Sequence, residues 1–204
     1  MQSIFNFLVK PVGERYNNKV KVKDQELIVN ASIESFKSVN NLAEIVSVPL
    51  HGDKMGLTVG DTVVIHHNVF RRFYDIRGKQ KDSRSYFTDD LYFCDLEQIY
   101  LYKKPNEKKW HTVGERCFVK PLKNIDYLKL DKERRLIGIL KYGNNSLNEL
   151  KINPGDLVGY KPYGEYDFII DGERLYCMKS NDIVIKYEYK GDETEYNPSW
   201  AKSS

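Results

Sequence analysis

The chain carries one pattern twice, and that repeat limits its fold more than any other feature. "FLVKPVGE" (7 to 14) returns as "CFVKPLKN" (117 to 124). "GLTVGDTVVIHH" (56 to 67) returns as "LKINPGDLVGYKP" (150 to 162), aligning Gly60-Asp61 with Gly155-Asp156. "YFCDLEQIYLYK" (92 to 103) returns as "YCMKSNDIVIKYE" (176 to 188), aligning Tyr92 with Tyr176 and Ile99 with Ile183. Three anchors in the same order describe a duplicated domain. The joint falls in "KKPNEKKWHTVGE" (103 to 115), a lysine-rich stretch with a proline that suits a short linker. The expected division is a first domain over 1–103, a linker over 104–114, a second domain over 115–189 and a polar, extended tail over 190–204, with Tyr196 and Trp200 as anchors for a partner.

Spacing between the copies locates what one has and the other lacks. The first anchors lie 110 residues apart, the Gly-Asp anchors 95 and the closing segments 84. The first copy therefore holds 15 extra residues before its Gly-Asp and 11 after it, which places insertions at about 17–44 and 68–87. The second insertion interleaves Arg71, Arg72, Arg77, Lys79, Lys81 and Arg84 with Phe70, Phe73, Tyr74 and Tyr86. Such a mixture suits stacking on bases, but a hairpin whose aromatics pack on the barrel or on a neighbouring subunit while its charges face water is the favoured reading. Phe70, Arg71, Arg72, Phe73 and Tyr74 are its expected protein interface, and a nucleic-acid partner is not expected. His66 and His67 close an apolar run that reads as a strand, so their side chains are expected on opposite faces, with no metal shared between them.

Short segments rich in β-branched and aromatic residues, bounded by Gly, Asp, Asn or Pro, recur throughout both copies, as in "AEIVSVP", "DTVVIHH", "LIGILKY" and "DIVIKYEY". With 15 Tyr and 9 Phe, the chain reads as all-β, each copy being a small β-barrel. Val63, Ile65, Ile99, Val158, Ile169 and Ile183 are expected in the core. Cys94, Cys117 and Cys177 are far apart and form no C-x-x-C pair, which fits free thiols in a reducing, cytoplasmic setting. A net charge of +3 is too small to point to a polyanion. The opening "MQSIFNFLVKP" matches neither a signal peptide nor a membrane span. No G-x-S-x-G, H-E-x-x-H or glycine-rich phosphate loop is present, so neither an enzyme nor a cofactor is expected.

The order of these segments resembles a known family. "GILKYGN…LKINPGDLVGYKPYGEYDFIIDGERLYCMKSNDIVIKYE" (138 to 188) resembles the carboxyl two-thirds of the GroES family of ten-kilodalton co-chaperonins, and "AEIVSVPLHGDKMGLTVGDTVVIHH" with "LYFCDLEQIYLY" looks like the same domain again. The resemblance spans most of residues 5 to 188 and is carried by the doubled order of motifs. The tandem arrangement is similar to double-barrelled plastid co-chaperonins, and "GERYNN" and "HHNVFRR" look like co-chaperonin-like proteins of tailed phages. It implies two tandem GroES-like barrels in a homo-oligomer that caps a chaperonin ring, phage-encoded for capsid folding, with a virion structural or assembly protein as the alternative.

In that family a loop after the first strand docks an apolar tripeptide on the chaperonin, and the first insertion lies there. Leu27, Ile28 and Val29 are the matching residues, although Gln25 and Glu26 stand where the family usually has glycines. A second reading makes "KVKV" and "ELIV" the two strands of a hairpin with Asp24-Gln25 at its turn, which would bury Ile28 permanently instead of offering it to a chaperonin. The second copy has only "NIDYLKLDKERRL" (124 to 136) in that place, so one barrel at most is expected to engage a chaperonin.

Overall fold

The computed structural model describes residues 2–16, 19–22, 25–28, 38–88, 90–125 and 132–203. The chain divides into two compact units, Met1–His111 and Thr112–Ser204. Both are built from antiparallel strands.

In the first unit, β1 (Phe7–Pro11), β4 (Leu42–Ser47), β5 (Thr62–Ile65), β8 (Tyr86–Thr88), β9 (Leu91–Cys94) and β10 (Ile99–Lys103), with the two-residue β11 (His111–Thr112) at the boundary of the units, form a seven-stranded sheet. Their order is β11-β10-β5-β4-β1-β9-β8. Two small hairpins are inserted: β2 (Lys19–Val22) with β3 (Gln25–Ile28), and β6 (Arg72–Tyr74) with β7 (Gln80–Asp82). The second unit has β12 (Arg116–Lys123), β13 (Glu133–Tyr142), β14 (Leu157–Tyr160), β15 (Tyr166–Ile170), β16 (Glu173–Lys179) and β17 (Ile183–Lys186), in the order β15-β16-β12-β13-β14-β17. A short helix, α1 (Asn145–Glu149), sits between β13 and β14 and is capped by the Asn144 side chain, which accepts from the Leu147 amide.

The two sheets share their order and, position by position, their register. Val9↔Tyr92 answers Val119↔Tyr176, and Val9↔Ile45 answers Val119↔Leu140. Ala43↔Val63 answers Gly138↔Val158, and Ile65↔Ile99 answers Tyr160↔Ile183. Even the irregularities repeat, since the register breaks between Leu8 and Val9 and again between Phe118 and Val119. A bulge adds twist and re-aims the side chains beyond it, so its recurrence marks a shared feature of the fold. The Gly-Asp turns behave alike too. Gly60 and Gly155 donate their amides to Ile45 and Leu140, while Asp61 and Asp156 accept from the amides of Thr58 and Asn153. Both glycines have φ near +90° or above, which glycine alone adopts without strain.

Strand alternation decides which residues fill each interior. Val9, Ile45, Val63, Ile65, Tyr92, Ile99 and Leu101 are buried in the first unit, and Cys117, Val119, Leu140, Leu147, Val158, Tyr160, Tyr176 and Met178 form one cluster in the second. Of the expected core residues, Ile169 is only partly buried because Phe168 and Ile170 take the inward positions of β15, and Ile183 is partly buried and packs against the second cluster. All three cysteines are free and buried.

Candidate functional site

The segments that differ between the units are where a partner would find something specific. The first is the β2–β3 hairpin, which interrupts the chain between β1 and β4. Its strands pair from Lys19↔Ile28 to Val22↔Gln25, so Leu27 and Ile28 lie in a strand. Val29, the third residue of the expected tripeptide, lies outside the described residues.

The second is the insertion between β5 and β8. Strand β5 ends at Ile65, and His66 caps a 3-10 turn over His67–Val69, its Nδ1 accepting from the Asn68 amide. The expectation that the two histidines point apart therefore fails. Their rings stack with centroids 4.3 Å apart, because the backbone has already left the strand. Burial, the neighbouring His66 charge and Arg71 together lower the His67 pKa to about 4, which keeps its imidazole neutral at ordinary pH. Among the described residues no group of three His, Cys, Asp or Glu is placed to hold a metal ion.

Beyond the turn, β6 and β7 form a hairpin closed by Asp75, whose side chain accepts from the amides of Arg77 and Lys79, with Gly78 at φ 72°. Its outer side chains face solvent: Phe73 is 40%, Tyr74 50% and Ile76 104% exposed. Phe70 corrects the expectation, since it is fully buried with its ring edge-on to Tyr92 at 4.8 Å. It anchors the insertion to the sheet. Arg71 and Arg72 are half-buried, and the Arg72 amide donates to the Tyr16 hydroxyl at 2.6 Å.

A residue that sequence reasoning missed holds this arrangement together. Arg15 donates from Nε to the Phe70 carbonyl, pairs with Asp82 at 2.5 Å and lies over the Tyr92 ring at 5.1 Å. One largely buried guanidinium thus ties both ends of the hairpin to the sheet. Nothing in local spacing announces it, because its partners lie 55 and 67 residues away.

The second unit replaces insertions with a charged network. Lys120, 7% exposed, bonds Glu173 at 3.0 Å and also Glu195, while Lys141 reaches Glu173 at 2.9 Å. Burial would push the Glu173 carboxyl up, but the bonds from Lys141 and Lys120 outweigh it and hold its pKa below the ordinary value. Arg174 pairs with Asp167 and Glu133, and Tyr176 donates to Glu133 at 2.6 Å. The Glu195 contact is one of several that hold the tail, expected as an extended polar segment, against the second unit. The Lys123 amide donates to Thr194, the Tyr196 amide to Pro121, and the Asn197 side chain accepts from the Arg174 amide and donates to Gly172. Trp200 stacks under Arg174 at 5.6 Å and Ala201 is buried. Charged positions on β12 and β16 explain this, since they need partners and the tail supplies Glu195.

A scan of protein-family models and a search of curated proteins both find no match to this chain. No described helix is long and apolar enough to cross a membrane.

Proposed function

We propose that the protein is a non-catalytic, co-chaperonin-like subunit that caps a chaperonin ring, with the β2–β3 hairpin as its contact and client folding as its role. The observation that carries this reading is the hairpin's place between β1 and β4, which corresponds to that of the family's contact loop and bears Leu27 and Ile28. The shared strand order and register of the two units support the finer fold reading of tandem GroES-like barrels. Partners of this kind place the protein in the cytoplasm, that of the host if it is phage-encoded. Three apolar side chains contribute roughly 1.5 to 3 kcal/mol each when buried, less the entropy of ordering the contact, so binding by several subunits in a ring is what makes it effective. Changing Leu27, Ile28 and Val29 together to Ser should abolish co-sedimentation with a chaperonin ring in the presence of nucleotide while leaving thermal unfolding unchanged. Undiminished co-sedimentation refutes the assignment.

A second reading, a virion structural or assembly protein, is favoured by one observation: the β6–β7 hairpin offers Phe73, Tyr74 and Ile76 to solvent. Exposed aromatics of this kind serve as anchors in protein interfaces. Replacing these three with Ser should then weaken assembly measured by light scattering, and the chaperonin experiment should be silent.

A further inference from the structure

The net charge of +3 conceals where the charge sits. Residues 68–87 hold six of the 32 Lys and Arg and two of the 29 Asp and Glu, a net charge of +4, so the other 184 residues together carry −1. Both carboxylates are already occupied. Asp75 accepts from the Arg77 and Lys79 amides, and Asp82 pairs with Arg15 at 2.5 Å and faces Arg72 at 3.6 Å. Arg77, Lys79, Lys81 and Arg84 are exposed, and among the described residues no carboxylate pairs with any of them.

Pairing sorts these groups by face. Residues directly opposite in an antiparallel ladder share a face, so Arg72, Asp82, Tyr74 and Gln80 lie on one side of the hairpin, and Phe73 and Lys81 on the other. The first face turns to the body of the unit, where Asp82 meets Arg15 and Arg72 lies over the Tyr16 ring at 5.8 Å. The second turns away from it. The Asp75 amide donates to the Lys79 carbonyl, which continues the ladder and puts Lys79 on the side of Lys81. Exposed Phe73 therefore stands beside two lysines, while fully exposed Ile76 and Arg77 hold the apex.

Apolar side chains among unpaired cations fit one kind of partner. Water satisfies the cations but not Phe73 and Ile76, whereas a segment of opposite charge that carries apolar side chains answers both. Single-stranded nucleic acid is held by successive aromatic platforms, and this face has Phe73 alone with an aliphatic apex. An anionic membrane is met by an apolar tip, whereas here Lys79 and Lys81 run back along one side. We propose that this outer face docks an acidic segment of a protein partner, its apolar side chains on Phe73 and Ile76 and its carboxylates on Arg77, Lys79 and Lys81. The docking face belongs to the hairpin of the assembly reading and rests on that reading for the protein nature of its partner.

The test is fluorescence anisotropy on the full chain, with a fluorescein-labelled synthetic peptide alternating Glu and Leu as the probe. The wild type should bind it, and less tightly as salt rises to about 0.3 M. Lys79→Glu with Lys81→Glu should weaken binding about tenfold or more, because attraction across the contact becomes repulsion. Phe73→Ser should weaken it comparably while leaving the salt dependence in place. Lys108→Glu with Lys109→Glu makes the same change of net charge at exposed positions outside the hairpin and should bind like the wild type. All these side chains are exposed, so thermal unfolding should hold. A wild type that ignores the peptide, hairpin variants that bind it unchanged, or a loss of equal size on changing Lys108 and Lys109 overturns the proposal. So does tighter binding of labelled oligothymidylate or of phosphatidylserine vesicles that the same hairpin substitutions abolish, which would give the face to nucleic acid or to a membrane. Assembly that is lost on replacing Phe73, Tyr74 and Ile76 but intact on reversing Lys79 and Lys81 would leave the assembly reading standing and remove the acidic partner.

Discussion

Lys10 and Lys120 hold the same place in the two sheets and live in different surroundings. Lys10 meets Glu44 at 3.1 Å with both side chains about half-exposed. Lys120 is buried between Glu173 and Glu195, and the latter comes from the tail. The inward residues and the bulge are common to both units, whereas what lies over the sheets is not. Register is set by the buried face, because a slip of one residue would turn every core side chain outward. Outward positions carry no such constraint, so one unit acquired hairpins and the other an ion network that holds the tail.

The sharpest way to break the equivalence is at Ala43 and Gly138, which share a register position. Ala43 is fully buried and tolerates its methyl group. A Cβ on Gly138 would lie 2.4 Å from Val119 Cγ1 and 2.5 Å from the Lys120 carbonyl oxygen, so β12 and β13 would have to separate. Gly138→Ala should cost about 3 kcal/mol, and Ala43→Gly about 1 kcal/mol, in denaturant unfolding with unit-resolved hydrogen exchange. Equal small losses would mean that β12 and β13 can repack as freely as β1 and β4.

The two lysines give the next contrast. Lys120→Ala strands the Glu195 carboxylate and leaves Glu173 to Lys141 alone, and after allowance for their partial exposure should cost about 2 kcal/mol and release the tail to proteolysis. Lys10→Ala removes a solvated pair and should stay within about 0.5 kcal/mol. A tail that remains protected in the Lys120 variant would assign its docking to Asn197 and Trp200 instead.

Much of this fold was legible in the sequence because the repeat anchors contain the residues that fix register, and three offsets suffice to align the observed pairs. The insertions were located by subtraction, yet their contents were misjudged in instructive ways. Phe70 reads like its exposed neighbours Phe73 and Tyr74, and only the 3-10 turn at His67–Val69 rotates it inward. Arg15 and the tail's docking depend on contacts between residues distant in sequence, which leave no periodic trace. β17 is largely exposed and β10 largely buried, a difference that was likewise invisible because "DIVIKYEY" and "QIYLY" read equally as buried strands.

The smallest effect separates the units by acidity. His67 belongs to the first insertion-bearing unit and, with its pKa lowered to about 4, stays neutral when folded while the unfolded chain takes up a proton near pH 6.5. Protonation then favours unfolding, so the first unit should lose stability as pH falls from 6.5 towards 4, and the loss is complete below the folded value. In the second unit Glu173 and Asp156 have lowered pKa values, and their contributions are lost only as pH falls below the ordinary carboxylate range. Between pH 6.5 and 5 the first unit should therefore weaken alone, by on the order of 1 kcal/mol once the half-exposure of His67 is allowed for. Unit-resolved hydrogen exchange on the full chain, corrected for intrinsic rates, reads this directly. His67→Gln should flatten the slope of the first unit and leave the second untouched. A slope that survives this substitution moves the titration to another group in the unfolded chain, and a second unit that weakens equally would show that the two units unfold together.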